Sequence, residues 1–165
     1  MKNKSACCFP EIIPMIGSVL LCQMAGIIGS VFTVSAIPGW YATLNKPWFN
    51  PPSFIFGPVW ITLYTVMGIA LYRIYRLGMR NKSVAFAVYV FLTHLVFNSL
   101  WSVVFFGMKE LGLAFMLICI LWGLIAFCMV LFQKIDKPAS YMLLPYLLWV
   151  TFASILNLAI WMLNG

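Results

Sequence analysis

The sequence predicts an all-α membrane protein, a bundle of five transmembrane helices with an ordered aromatic and proline-rich loop between the first two. Of its 165 residues, 64% are hydrophobic and only 8% are charged, and the mean hydropathy is +1.03. A soluble protein of this length needs more charge to cover its surface. Five apolar segments are each long enough to cross a bilayer as a helix of about 20 residues. Residues 1–165 are therefore expected to form a single transmembrane domain.

The five spans follow one another along the chain. The first is predicted at about residues 12–36, because Pro38 and Gly39 come directly after it and end a regular helix. The second is predicted at about 58–76, since Pro58 suits the first turn of a helix. The connections after the third and fourth spans are short, so neighbouring helices should be antiparallel. The remaining spans are predicted at about 83–106, 110–132 and 138–163.

The loop at residues 37–57 differs from the other connections in length and composition. A solvated linker would not carry so many aromatic side chains, and a long loop in a compact domain usually has a function. We therefore predict an ordered cap that folds over one end of the bundle. Its prolines and aromatic residues are Pro38, Trp40, Tyr41, Pro47, Trp48, Phe49, Pro51, Pro52, Phe54 and Phe56.

The charge distribution predicts an orientation. The net charge is +7, and the basic residues lie at the ends of apolar segments, where they meet lipid headgroups rather than nucleic acid. By the positive-inside rule, the N-terminus is expected in the cytoplasm of a bacterial cell membrane. The N-terminal side carries Lys2, Lys4, Arg73, Arg76, Arg80, Lys82, Lys134 and Lys137, against Lys46 and Lys109 on the opposite side.

Few residues offer conventional catalytic or metal-binding chemistry. The acidic residues Glu11, Glu110 and Asp136 all fall at membrane edges, so no carboxylate pair or Ser-His-Asp set is expected. The five cysteines match no zinc or haem-attachment spacing, and no metal site is predicted. Cys22, Cys119 and Cys128 lie inside apolar segments and are expected to pack as small side chains, whereas Cys7 and Cys8 precede the first span and could be S-acylated.

Polar and small residues inside the spans indicate which faces point inward. Ala25/Gly29 and Gly26/Ser30 on the first helix would allow close approach of another helix, either within the chain or in a homodimer. On the third helix, a face of spaced polar and aromatic residues should point into the bundle, because polar groups facing lipid are costly. That face comprises His94, Asn98, Ser102 and Phe105. His94 is interpreted either as a hydrogen-bonded core residue or as a haem ligand.

Aromatic residues form stripes on the second and fifth helices. Trp60 and Tyr64 are one turn apart on the second helix. Such stripes usually mean packing or an interfacial belt, but several aromatic rings beside a small residue also suit a flat hydrophobic ligand. The stripe on the fifth helix comprises Tyr146, Trp149, Ala153 and Leu156 or Asn157.

Several of these motifs together resemble those of the translocator protein family, also called the tryptophan-rich sensory protein or TspO/MBR family. The resemblance extends over about residues 12–163 and involves one loop and three helices. The motifs are Gly39-Trp40-Tyr41, Lys46-Pro47, Pro51-Pro52, Gly57-Pro58-Val59-Trp60, Leu63-Tyr64, Asn98-Ser99-Leu100-Trp101-Ser102, Pro145-Tyr146-Leu147-Leu148-Trp149, Phe152-Ala153 and Leu156-Asn157.

This resemblance implies a five-helix bundle, often a homodimer, that binds porphyrins and related flat hydrophobic ligands in a pocket under the first loop, with no obligatory cofactor. The implied function is a membrane receptor or sensor. One alternative is a light-dependent porphyrin-degrading enzyme with Trp60 and Trp149 as its catalytic residues, and a second is a tetrapyrrole or lipid transporter. The pocket positions implied by the motifs are Tyr41, Pro51, Trp60, Asn98, Trp101, Trp149, Ala153 and Leu156.

The chain departs from the family pattern in two places. In the loop, Phe49 stands where the family has tryptophan, and Trp48 precedes it. In the fifth helix, Leu158 and Met162 replace the tyrosine and arginine of the sterol motif of animal members. We therefore expect a bacterial-type member that does not recognise sterols.

Overall fold

A computed structural model describes residues 9–165, with burial and side-chain contacts from residue 12 onward. The predictions for Cys7 and Cys8 lie outside the described residues. All regular secondary structure within this range is helical. The α-helices are α1 (Phe9–Ala36), α2 (Phe56–Tyr75), α3 (Lys82–Ser102), α4 (Leu111–Ile135), α5 (Lys137–Met142) and α6 (Leu144–Asn164).

Five helical segments are long and apolar enough to cross a membrane, which confirms the predicted fold class. The fifth segment contains both α5 and α6. The protein is thus an integral, multi-pass membrane protein. The segments are Ile12–Tyr41, Ser53–Tyr75, Lys82–Met108, Leu111–Ile135 and Lys137–Asn164.

The first helical segment extends further than the sequence predicts. The prediction of a loop from residue 37 is wrong for its first residues, because a π-helical turn at Ile37–Tyr41 continues directly from α1. Pro38 has no N–H to donate and its ring would clash with a regular helical turn, and it lies in the first turn of this wider segment. A second π-helical turn, Val103–Met108, extends α3 toward the same end of the bundle.

The fifth span, predicted at about 138–163, is confirmed as Lys137–Asn164, but it consists of two helices divided at Leu143 rather than one. Leu143 lies between α5 and α6. Pro145 occupies the first turn of α6, where its missing N–H is tolerated, but it cannot donate back to the preceding helix. The Ser140 hydroxyl donates to the Met129 carbonyl oxygen at 2.8 Å, and this bond fixes α5 against α4.

The turn between α2 and α3 is specified by local sequence. Gly78 has φ +95°, a left-handed conformation that glycine adopts without steric cost. Three residues later, the Asn81 side chain caps α3 by accepting a hydrogen bond from the Ser83 N–H at 2.9 Å. These two residues make a sharp connection and keep α2 and α3 antiparallel neighbours.

Small residues allow α1 to approach α2 and α3 closely. Gly68 of α2 contacts the backbone of Val19, and Gly26 of α1 contacts the ring of Tyr64. A Cβ at Gly29 would lie 2.9 Å from Ser102 Oγ. The intrachain interpretation of the small residues on the first helix is therefore confirmed for these glycines, and the homodimer stays a prediction.

The two ends of the bundle are packed differently. At the basic end, where α2 leads into α3, Arg73 donates to both carboxylate oxygens of Asp136 at 3.0 and 3.1 Å, which joins α2 to the turn between α4 and α5. Nearby, the rings of Phe91 and Phe132 stack 5.8 Å apart and are fully buried. Toward the opposite end, which we call the cap end, the helices separate around a cavity.

The close contact at Gly68 predicts a specific loss of stability. In Gly68→Ala, the new Cβ would meet the Val19 backbone, including the Val19 nitrogen at 2.9 Å, so α1 must move away from α2. We expect a destabilisation of about 1–3 kcal/mol, despite the better helix propensity of alanine. Thermal unfolding in detergent measures this change.

Gly123→Ala on α4 is the matched control, because a Cβ there meets nothing within 4 Å. It should leave the unfolding midpoint unchanged or raise it. Equal midpoint shifts in the two variants would mean that the α1–α2 contact does not limit stability.

Candidate functional site

A cavity of about 490 Å³ lies between α1, α2, α3 and α6 at the cap end. This volume is within the range of roughly 300–1,000 Å³ that is typical of small-molecule sites. Its lining residues are Gln23, Gly26, Ile27, Gly29, Ser30, Thr33, Val34, Ile37, Tyr41, Ser53, Phe54, Phe56, Gly57, Trp60, Ile61, Tyr64, Trp101, Ser102, Phe105, Phe106, Trp149, Ala153, Leu156 and Ile160.

Three tryptophans from three helices border the cavity. Trp60 of α2 stacks on the ring of Tyr64, with centroids 5.4 Å apart and an interplanar angle of 27°. Trp149 of α6 packs against Phe56 at 6.1 Å and Phe152 at 5.6 Å. Trp101 of α3 completes the set. Aromatic faces held by neighbouring rings offer a rigid stacking surface to a flat ligand.

Behind Tyr64, a buried asparagine joins three helices. The Tyr64 hydroxyl donates to Asn98 Oδ1, and Asn98 Nδ2 donates to the Tyr146 hydroxyl oxygen at 2.9 Å. All three residues are buried. Polar groups inside a membrane must be satisfied within the protein, and this network fixes Tyr64, and hence the stacked Trp60, at the edge of the cavity.

His94 lies deeper in the bundle and is only 1% exposed. Its ring is 4.4 Å from that of Phe91 and 5.7 Å from that of Tyr146, and it is not among the residues that line the cavity. The structure therefore places His94 in the core, away from this cavity, but its buried Nδ1 has no hydrogen-bond partner among the described residues, so the hydrogen bond of the core interpretation is not observed at this atom. Across the described residues, no cluster of three or more His, Cys, Asp or Glu could hold a metal ion.

Hydrogen bonds join the loop between α1 and α2 to the residue that precedes it and to the C-terminal end of α6. The Tyr41 hydroxyl donates to Asn50 Oδ1 at 2.8 Å. The Asn164 side chain accepts from the Asn45 N–H and donates to the Asn45 carbonyl oxygen, both at 2.9 Å. These contacts hold residues 42–55, which we call the cap, across the end of the bundle.

The substituted position in the cap has a clear structural consequence. Phe49 packs against Phe152 of α6 with ring centroids 6.4 Å apart. Trp48, which precedes it, is 96% exposed. The smaller ring of Phe49 thus makes the inward contact of the cap, while the indole of Trp48 points away from the bundle.

The cavity reaches the surface of the bundle between α1 and α2. Ile27 and Val34 of α1 and Ile61 of α2 all line the cavity and are all exposed. In the membrane these side chains would face lipid. The opening is therefore lateral, toward the hydrocarbon region.

None of the described residues that line the cavity is charged. Lys46, the basic residue of the cap, donates to the carbonyl oxygens of Ala42 and Leu44 at 3.2 and 3.0 Å, and its ammonium lies 5.0 Å from the centroid of the Tyr41 ring. These contacts place the ammonium beside Tyr41, which lines the cavity, although Lys46 itself is not a lining residue. An apolar ligand body is thus favoured inside.

The structure brings most of the predicted pocket positions together. Asn98 and Pro51 are exceptions. Asn98 acts from behind the Tyr64 hydroxyl, and Pro51 accepts a hydrogen bond from Asn50 Nδ2 within the cap. The predicted positions that line the cavity are Tyr41, Trp60, Trp101, Trp149, Ala153 and Leu156.

Sequence reasoning missed one wall of the cavity, which is formed by α1. A signal was present, because Gly26, Ser30 and Thr33 recur at helical spacing and leave room on one face. The sequence prediction assigns Gly26 and Ser30 only to helix packing and does not include Thr33. The same face both contacts neighbouring helices and borders the cavity.

Comparisons of sequence relate this chain to known proteins. The sequence profile of the TspO/MBR family matches residues 18–162. The chain is 42% identical to "Tryptophan-rich protein TspO" of Chlorobaculum tepidum over 144 residues, 87% of this chain and 91% of the relative. It is 39% identical to a protein of the same name from Archaeoglobus fulgidus, and the match covers 94% of this chain and 99% of the relative. It is 33% identical to "Translocator protein" of Bos taurus, and the match covers 94% of this chain and 92% of the relative.

The asparagine network behind Tyr64 predicts a large cost for its removal. Asn98→Leu would leave the buried Tyr64 and Tyr146 hydroxyls without their partner. We expect a loss of about 2–4 kcal/mol, since each unsatisfied buried group costs about 1–3 kcal/mol. Chemical or thermal unfolding in detergent measures the loss.

The control is Asn98→Leu made in a protein that already carries Tyr64→Phe and Tyr146→Phe. No phenol hydroxyl is then left without a partner, so the same substitution should lower the free energy of unfolding much less. A cost that is the same in both backgrounds would show that the loss arises from shape rather than from hydrogen bonding.

Proposed function

Because the chain belongs to the TspO/MBR family, we propose that it is a membrane receptor or sensor that binds porphyrins and related flat hydrophobic ligands in the cavity at its cap end. The observation that carries this proposal is that Trp60, Trp101 and Trp149, from three different helices, border one cavity of about 490 Å³. A tetrapyrrole is large, flat and largely apolar. Such a ring system stacks well on indoles.

The uncharged lining defines how a porphyrin would be oriented. Burying a carboxylate without a partner is very costly, and no charged side chain is found among the described residues around the cavity. The macrocycle would therefore lie inside, with its carboxylates at the lateral opening or beneath the cap. Ser30 and Ser53 are exposed lining residues that offer hydroxyl groups near those regions.

A flat ligand could reach this site through the membrane. The lateral opening between α1 and α2 is bordered by exposed apolar side chains, including Ile27 and Ile61. Porphyrins partition into lipid, so the bilayer would deliver the ligand to the opening. We further propose that the protein resides in a bacterial cell membrane with its N-terminus in the cytoplasm, as the excess of basic residues at one end favours.

Ala153→Phe tests binding in the cavity. Its larger side chain would occupy space between Trp149 and Leu156, so the affinity for protoporphyrin should fall at least roughly tenfold, about 1.4 kcal/mol. Quenching of tryptophan fluorescence by protoporphyrin in detergent measures this affinity, and all native tryptophans are retained.

Ile155→Phe is the control, because Ile155 lies on the same helix but is 55% exposed and does not line the cavity. It should bind protoporphyrin as the unsubstituted protein does. Equal affinity in both variants would place the porphyrin elsewhere.

A second candidate function is light-dependent oxidation of the bound porphyrin. It is favoured by the position of Trp60 and Trp149, which border the same cavity and could exchange electrons with an excited macrocycle in contact with them. Dioxygen would be the oxidant. This chemistry requires no carboxylate pair, in agreement with an uncharged lining.

Illumination of the protoporphyrin complex tests this second function. Loss of the Soret absorption should be faster than for protoporphyrin in detergent alone, and Trp60→Phe or Trp149→Phe should remove the difference. Trp122→Phe is the control, because Trp122 of α4 donates to Thr151 and does not line the cavity. Bleaching at the detergent rate in the unsubstituted protein would reject the enzyme.

A further inference from the structure

We propose that Asn157 is a positioning residue for the ligand cavity, which it serves by fixing the indole of Trp101. Asn157 lies on α6, is only 1% exposed and does not line the cavity. Its Oδ1 accepts a hydrogen bond from Trp101 Nε1 at 3.1 Å. The inference rests on the proposed function, since it concerns how the same cavity binds its ligand.

The hydrogen bonds of Asn157 specify its amide orientation. The indole N–H of Trp101 can only donate, and the carbonyl oxygen of Leu111, at the start of α4, can only accept. Asn157 Nδ2 donates to that carbonyl oxygen at 3.0 Å. A reversed amide would place donor against donor and acceptor against acceptor. One side chain therefore connects α3, α4 and α6 in a single arrangement.

The hydrogen bond to Asn157 adds a directional constraint to the packing of the Trp101 indole. Its neighbours Phe105 and Phe106 are aromatic rings, with centroids at 5.3 and 6.1 Å. Contacts between aromatic rings are less directional than a hydrogen bond. A membrane interior supplies no substitute acceptor for the N–H, so the bond to Asn157 determines which face of Trp101 borders the cavity.

The role of Asn157 differs from that of Asn98. Asn98 joins two phenols behind Tyr64, and its loss should weaken the whole fold. Asn157 instead joins one indole of the cavity lining to the Leu111 carbonyl oxygen, so its loss should change ligand affinity through Trp101. Ligand binding, rather than stability, is thus the property that distinguishes a positioning residue from a merely structural one.

A double-mutant cycle separates these roles. Asn157→Leu should weaken protoporphyrin binding roughly tenfold in the unsubstituted background, equivalent to about 1.4 kcal/mol. In a Trp101→Phe background, which has no indole N–H to orient, it should change the affinity less than about twofold. Titration of the Soret absorption measures binding without relying on tryptophan fluorescence.

Asn157→Asp provides a conservative rescue. In this buried position the protonated carboxyl retains an acceptor for Trp101 and a donor for Leu111, so protoporphyrin affinity should stay within about twofold of the unsubstituted protein. If Asn157→Leu does not fold, Asn157→Ala takes its place in the cycle.

The outcomes distinguish this inference from the proposed function. An equal loss of affinity on Asn157→Leu in both backgrounds would overturn the positioning role, because Asn157 would then act independently of Trp101. If the unsubstituted protein does not bind protoporphyrin, the proposed function itself fails. Binding that is intact and insensitive to Asn157→Leu rejects the positioning role alone.

Discussion

The pair of hydrogen bonds that Asn98 makes with Tyr64 and Tyr146 is the interaction on which the cavity depends. Lipid offers no alternative partner for these groups, so the three residues constrain one another. Tyr64 in turn stacks against Trp60 on one side and contacts Gly26 of α1 on another. A buried amide therefore sets the distance between α1, α2, α3 and α6 at the level where the bundle begins to open.

Hydropathy was sufficient to predict five spans, because lipid requires long apolar helices whatever the fold. It could not predict how proline would be accommodated. At Pro38 the helix widens into a π turn and continues, whereas at Pro145 it divides at Leu143. Each proline lacks its own backbone N–H. Whether the helix continues or divides there depends on tertiary packing around each turn, which a single sequence does not display.

The pocket positions implied by the family resemblance included the three tryptophans of the cavity lining, Trp60, Trp101 and Trp149, because the motifs place them on α2, α3 and α6. The wall formed by α1 was not predicted, since small residues such as Gly26 and Ser30 have the same pattern whether they admit a neighbouring helix or a ligand. The prediction that Asn98 points into the bundle is confirmed. Its position behind Tyr64, rather than in the cavity lining, could not be predicted because it depends on where Tyr64 packs. Asn157 stood in the predicted stripe of the fifth helix and in a family motif, but its bonding role could not be predicted, because it depends on where Trp101 and Leu111 meet in space.

The uncharged lining of the cavity also determines which external forces can act on its occupancy. Moving one elementary charge across the membrane potential involves about 2.3 kcal/mol per 100 mV, but the apolar body of a ligand carries no charge for this field to act on. Dissolved salt screens interactions between charges, and none of the described lining residues contributes one. The contribution of the apolar body to binding should therefore be largely independent of membrane voltage and ionic strength, so that any such dependence would come from the ligand carboxylates at the lateral opening or beneath the cap.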